Sequence, residues 1–496
     1  MTKTNSKKAL LSSAFALVLS AAMLIGTTFA WFTDTASTGV NKIVSGNLKV
    51  DIIGENSDSH IEKLNFKKTA ATDAEAGAAI LWEPGCRYLT EGFRIANKGN
   101  LALKWKAQVN MNNIINGKVE GSTIAKDGKS LLDVIDFYVV TSTDKNAEAV
   151  AIENFVGNLT AGAKSGVYYI KGVMQTTAGN DYQVLTLDGI TITVVATQDT
   201  VENDSFNNQY DKDAEYPILV TTGDELQAIV SNATAPVNIV LANSITTNNF
   251  VIPADKDVTL DLNGRTVTNA GSHTILNKGH LTLTDSSTDK SGQIISLKGN
   301  TAALRNGDNA VCVVEGGTIS RDGANGNTWH VVENFGMMTF NGGKVVLKNG
   351  NGFAITNGWN YFDPGASTTH AVMEINALEL DTDSSGIKNC RYGDLTVNDA
   401  TVTSTGYWAL SNDYLGTAVI NGGTLTSNSF KAVSNGAAMT VNGGTFDGTE
   451  GLFVQSYATS TVLNGGTFTN MNVDALSSYV GTGHTAQQSG TSVIIK

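Results

Sequence analysis

The phrase AVINGGTLTS at residues 418–427 returns as MTVNGGTFDG at 439–448 and as TVLNGGTFTN at 461–470. Its asparagines, Asn421, Asn442 and Asn464, stand 21 and 22 residues apart. Looser copies precede them at Asn341, Asn376 and Asn398, and Glu315 takes the same place in CVVEGGTIS. A second signal, an apolar residue followed by Asn and usually Gly, runs out of phase with the first. It falls at Asn277, Asn306, Asn334, Asn357, Asn389, Asn412 and Asn435, the last three 23 residues apart each time.

A period near 22 built only from short alternating strands and turns has one economical solution. Each repeat is a coil of a parallel β-helix, and coils stack about 4.8 Å apart. The alternation sends Ile420, Leu425, Val441, Phe446, Leu463 and Phe468 inward. Asn and Gly supply the backbone angles that the corners need. Asparagines standing one above another are placed to hydrogen-bond from coil to coil as ladders. An antiparallel sandwich uses similar turns but has no reason to repeat its residues at a fixed interval.

The start of the repeat region is legible too. TTGDELQAIVSNA (221–233) sets Leu226, Ile229 and Val230 on one helical face, with Asp224 near the helix start. Two strand-like runs follow, VNIVLANSI (237–245) and DVTLDLNGRTV (257–267). A helix over the open end of an apolar core is what a solenoid requires of a terminal cap. This opening resembles that of pectate-lyase-like β-helix domains. The resemblance implies a right-handed parallel β-helix with a short N-terminal capping helix over residues 218–496, and implies no activity.

Upstream, residues 41–198 lack the period. NLKVDII, GFRIANKGNLALKWKAQV, DFYVVTS and GITITVVATQ read as strands, with a hairpin turn expected at Asn97–Asn100. Residues 199–217 are polar and acidic and read as a solvated linker; they lack the Gly-turned loop of an EF-hand. At the other end, Lys3, Lys7 and Lys8 precede an apolar run, Ala9 to Ile25, and Thr28-Phe29-Ala30 offers small residues for a peptidase. Residues 1–30 thus read as a signal peptide, cut by signal peptidase after Ala30. The new terminus then begins with two aromatics, Trp31 and Phe32.

GTTFAWFTDTASTGVNKIVSGNLKVDI resembles the N-termini of TasA/camelysin-type biofilm-matrix proteins of Gram-positive bacteria. EPGCRYLTEGFRIANKGNLALKWKAQV and VVATQ resemble their later strands. The resemblance implies a jelly-roll-like β-sandwich over residues 31–198 that forms extracellular fibres. In that arrangement the segment led by Trp31 and Phe32 adds as a strand to a neighbouring subunit. The long repeat region at the C-terminus departs from that family.

Composition limits the partners. The net charge is −13, and −16 once residues 1–30 are removed, which argues against nucleic acid and anionic membranes. Charged residues are 16% of the chain and prolines only 5, unlike a disordered tail. Cys86, Cys312 and Cys390 are an odd, scattered set that implies no disulfide framework.

The search for chemistry starts with metal. The camelysin name carries a protease claim, but the chain has no His-Glu-x-x-His, and His60, His273, His280, His330, His370 and His484 are isolated. No motif calls for a metal or cofactor. A polysaccharide lyase or hydrolase would draw on Asp381, Asp383, Asp394, Asp399 and Asp413, with Lys388 and Arg391 nearby. A sharper pattern is the aromatic that follows the second asparagine on three coils: Trp359, Tyr392 and Tyr414, with Ala437 in that place on the next. The first of these coils also carries the inserted loop NGWNYFDPGASTTH (357–370). Stacked aromatic faces suit sugar rings; the alternative is rings packed on one another to cover a corner. Thr-x-Thr rows at Thr401, Thr424 and Thr467 suggest an ice-binding ladder, but Asp447 interrupts them.

The sequence therefore points to an all-β, secreted cell-surface or matrix protein. It is expected to assemble with itself or related matrix subunits and to display a β-helix for adhesion or for binding extracellular or cell-wall glycans. The competing expectation is a secreted glycan-active enzyme tethered by a matrix module.

Overall fold

The computed structural model describes residues 48–61, 64–67, 80, 82–110, 114–115, 118–119, 129–144, 147–185, 191–199, 216–324, 328–359 and 369–496. Ala30, Trp31, Phe32, the expected signal peptide and most of the acidic linker lie outside the described residues. From residue 218 onward the chain is a parallel β-solenoid. Its three sheets hold 11, 12 and 9 strands, and nearly every strand pairs with its equivalent one coil later. The first sheet runs from Ile218–Val220 to Ser460–Leu463, and the third from Phe250–Ile252 to Leu452–Val454. The second sheet begins at Ile245–Thr247.

The register follows the repeat: Val397, Ile420, Val441 and Leu463 stand in one column, and Leu425, Phe446 and Phe468 in another. All six side chains expected to point inward are at most 1% exposed. Phe446 stacks on Phe468 with ring centroids 4.8 Å apart. The second glycine of each Asn-Gly-Gly turn has φ of 92°, 104° and 109° at Gly423, Gly444 and Gly466, a region that a side chain resists. Where the glycines are missing, Leu378 and Ala400 turn inward and are buried instead.

At its N-terminal end, the helix Gly223–Asn232 packs Leu226 and Val230 into the same core as the strands. Its N-cap is Thr222, whose hydroxyl accepts from the Glu225 amide at 3.1 Å. The Glu225 carboxylate reaches back to the Thr221 amide at 2.8 Å, a capping-box arrangement shifted by one residue. Asp224 lies in the first turn. Gly223 sits so close to the second sheet that a Cβ there would be 2.3 Å from the Thr246 carbonyl oxygen. Gln227 donates to the Val251 carbonyl at 2.9 Å and accepts from its amide at 2.8 Å, filling the place of one more strand. At the other end, Ser492–Ile495 pairs antiparallel with Gly466–Phe468, and Ala486–Ser489 pairs antiparallel with Ser492–Ile495.

The upstream region forms antiparallel, sandwich-like sheets around Phe93, Ile95, Leu103, Trp105 and Phe155. The expected hairpin at Asn97–Asn100 is not one. Phe93–Asn97 pairs with Val50–Gly54, whereas Leu103–Asn110 lies between Val156–Leu159 and Thr191–Gln198. The turn carries the chain from one sheet to another because both flanking strands bury residues in a shared core. Asn97 holds the crossing, donating to the Leu101 carbonyl at 2.7 Å and the Thr160 carbonyl at 3.1 Å. Among the described residues no helix is long and apolar enough to cross a membrane.

Candidate functional site

The third sheet positions the site. Its strands place the first and third residues toward the core, so the middle residue faces out. In register, those middle residues include Arg305, Glu333, Thr356, Lys388, Ser411, Ser434 and Phe453. Glu333, Thr356 and Ser434 are nonetheless only 4%, 6% and 2% exposed. Trp329 and Arg305 lie against Glu333, and Gln455 lies against Ser434.

On the leading flank stand Trp329, His330, Tyr407, Trp408 and Phe430. Trp329 Nε1 donates to Glu333 Oε1 at 3.1 Å, and Arg305 Nη1 donates to Glu333 Oε2 at 3.2 Å. This carboxylate is thus buried but doubly satisfied. His330 Nδ1 meets the Phe353 carbonyl at 3.0 Å, and burial pushes its pKa below the usual imidazole value. Trp408 packs edge-on to Phe430 at 4.7 Å and stacks on Phe453 at 6.1 Å. Two further ion pairs cross the face: Lys388 with Asp413 and Lys431 with Glu450, each 3.0 Å. Burial opposes the Lys388 charge, but its neighbours, the Asp413 carboxylate among them, outweigh it and raise its pKa. Lys431 Nζ lies 3.6 Å from the Phe453 ring centroid, a cation–π contact.

The trailing flank holds the three aromatics read from the sequence. Trp359 donates its amide to the Arg391 carbonyl at 2.9 Å, and its ring lies 4.5 Å from Phe335. Tyr392 adopts φ of 58°, accepts from Arg391 Nη2 at 2.9 Å and lies 5.6 Å from the His370 ring. Tyr414 is 44% exposed. The structure puts all three on one corner and adds two residues that the sequence reading missed. Phe335 follows Asn334 by one, and the Tyr457 ring lies over Gly436, where a Cβ would be 2.8 Å from Tyr457 Cε2. Tyr457 therefore fills the step at which only Ala437 is visible in the sequence. The leading flank was missed as well, although its signal is present: an aromatic stands two or three residues ahead of strands Val332–Asn334, Leu410–Asn412 and Val433–Asn435.

Among the described residues the exposed Phe, Tyr and Trp rings are those of Trp329, Tyr407, Tyr414 and Tyr457, and all four flank this one sheet. The carboxylates considered for an enzyme are dispersed. Asp381 pairs with Lys344 at 2.8 Å on the second sheet and Asp394 with His370 at 2.8 Å on the first. Asp383 accepts from the Gly350 amide at 3.2 Å, Asp399 sits in the turn after Val397, and Asp413 holds Lys388. Among the described residues no three His, Cys, Asp or Glu side chains gather as a metal would require. Burial pushes the thiols of Cys312 and Cys390 up to about 12, which leaves them protonated and inert. Thr401 and Thr424 do align on the second sheet, and Asp447 follows Thr403 and Thr426 in the adjacent column. No family model, curated protein or solved structure matches the chain.

Proposed function

We propose that this is a secreted cell-surface or biofilm-matrix protein whose solenoid binds glycans through the aromatic face of its third sheet. The observation that carries the reading is the gathering of all four exposed aromatic rings of the described residues on that face. Exposed Tyr and Trp rings beside polar, hydrogen-bonding side chains match the amphipathic faces and edges of sugars. Retention of the protein on cell walls and purified polysaccharides tests it: Tyr414→Ala is expected to weaken retention while the melting transition stays put. Loss of both together would assign the ring to packing.

The rest of the reading rests on sequence resemblance. The N-terminal sheets are proposed to be a TasA/camelysin-like jelly roll, and the helix Gly223–Asn232 to cap a right-handed β-helix. Signal peptidase cleavage after Ala30 would free Trp31 and Phe32 to add as a strand to the next subunit, itself or a related matrix protein. Protein beginning at Trp31 is then expected to form filaments by electron microscopy, and protein beginning at Val40 to remain monomeric. Equal assembly by both would remove the terminal aromatics from the joint.

A further inference from the structure

We infer that the third-sheet face takes a neutral polysaccharide, laid along the solenoid axis across its last three coils and stacked on Tyr407, Tyr414 and Tyr457; this rests on the glycan-binding reading above. The three most exposed Phe, Tyr or Trp rings among the described residues, Tyr407, Tyr414 and Tyr457 at 58%, 44% and 55%, surround strands Leu410–Asn412, Val433–Asn435 and Leu452–Val454. Tyr414 and Tyr457 stand on the same flank, and because the Tyr457 ring lies back over Gly436, the two rings step along the axis by one coil height, ~5 Å. Tyr407 faces them from the other flank, its ring held edge-on by Phe430 at 5.8 Å. Between the flanks the floor is low, because the outward positions of two successive coils are the small Ser411 and Ser434, the latter covered by the Gln455 amide. A row of ring platforms separated by coil height, over a low polar floor, fits an extended chain rather than a single sugar.

The charges decide which kind of chain. Lys388 and Lys431 already hold Asp413 and Glu450 at 3.0 Å, so this part of the face has no net charge. A carboxylated polymer would have to displace one of these carboxylates and approach a protein of net charge −13. Sugar hydroxyls need neither: they can donate to the remaining lone pairs of Asp413 and Glu450 and accept from the ammonium groups with both pairs intact. Gln455, which donates to Ser434 Oγ at 3.3 Å, supplies a further amide beside Tyr457.

Calorimetry on the full chain, with cellohexaose and chitohexaose as neutral probes and hexagalacturonate as the acidic one, tests the inference. The expected result is binding of at least one neutral hexamer, little changed between low and high salt, and much weaker for the matching dimer. Tyr414→Ala and Tyr457→Ala are each expected to weaken it tenfold or more, with Tyr457→Phe close to the parent and all variants melting alike. Binding of hexagalacturonate alone would overturn the neutral assignment and leave the glycan reading standing. Binding of a neutral hexamer untouched by both alanine substitutions would overturn the site. Binding of none of the probes, nor of cell-wall polysaccharide, would remove both.

Discussion

Two rows of asparagine run along the solenoid, built from the same amide and spaced by the same coils, yet they do different work. The row from Asn277 to Asn435 lies inside the corner between the third and first sheets, and its members are at most 1% exposed. Each Nδ2 donates to the next Oδ1 toward the C-terminus at 2.7 to 2.9 Å as far as Asn412, and the last donates to Thr461 Oγ1. Most also donate to a backbone carbonyl, as Asn389 does to Thr417 at 3.0 Å and Asn412 to Ala438 at 2.9 Å. The row from Glu315 to Asn464 lies on the corner between the first and second sheets, largely in water. Its amides donate the other way, toward the N-terminus, at 2.7 to 3.0 Å. Burial, not the hydrogen bond itself, sets what each row contributes, because a buried amide without its partner has no water to replace it.

The largest effect that would sharpen this contrast is expected at Asn389→Ala. The substitution removes the acceptor used by Asn357, the donor used by Asn412, and the donor to the Gly393 and Thr417 carbonyls. Several buried polar groups lose a partner together, each worth about 1–3 kcal/mol, so a loss of about 3 kcal/mol or more is expected. Urea unfolding measures it. A loss under about 1 kcal/mol would mean that water enters the corner and that the inner row resembles the outer one after all.

The inner asparagine row carries no charge and is silent to pH, which isolates the leading flank of the third sheet beside it. His330 and His273 are both held below the usual imidazole pKa by burial, with Glu333 opposing that shift and Lys388, Arg305 and Arg321 reinforcing it between them. The unfolded chain therefore takes up these protons first. Stability from the two neutral histidines is complete above about pH 6.5 and is lost as pH falls toward their folded values. Thermal unfolding from pH 8 to 5 is expected to show that decline, and His330→Gln to flatten it. An unchanged slope in that variant would assign the pH dependence elsewhere.

How much of this was readable in advance depends on whether a feature repeats. The coils, the inward register at Phe446 and Leu463 and both asparagine rows are local patterns recurring at a fixed interval, so the sequence exposes them directly. Trp359, Tyr392 and Tyr414 were visible for the same reason, each being counted from an asparagine. Tyr457 was hidden because it reaches back over Gly436 from the following coil, a contact that no fixed offset encodes. The ion pairs of Lys388 and Lys431 join side chains one coil apart, and no spacing rule marks them. The turn at Asn97–Asn100 reads as a hairpin because a hairpin and a crossing between sheets use the same residues; only the pairing partners, 39 to 95 residues away in sequence, decide between them.

The smallest effect is expected in the outer row, and it tests the other half of the contrast. Asn421 sits mid-row, donating to Asn398 at 2.7 Å and accepting from Asn442 at 2.8 Å. Asn421→Ala breaks both bonds, but the groups released, Asn398 Oδ1 and Asn442 Nδ2, lie at the surface and rebond to water. The net cost is then the modest surplus of a side-chain bond over hydration, below about 1 kcal/mol. Coupling is the finer reading. If the row acts as a chain of polarised amides, Asn398→Ala and Asn421→Ala in one molecule cost less than their sum, because the second substitution breaks a bond that the first has already removed. A double-mutant cycle by urea unfolding is expected to give a coupling of about 0.5 kcal/mol. Strict additivity would mean that the outer asparagines act singly at their own turns, and that only the buried row binds coil to coil.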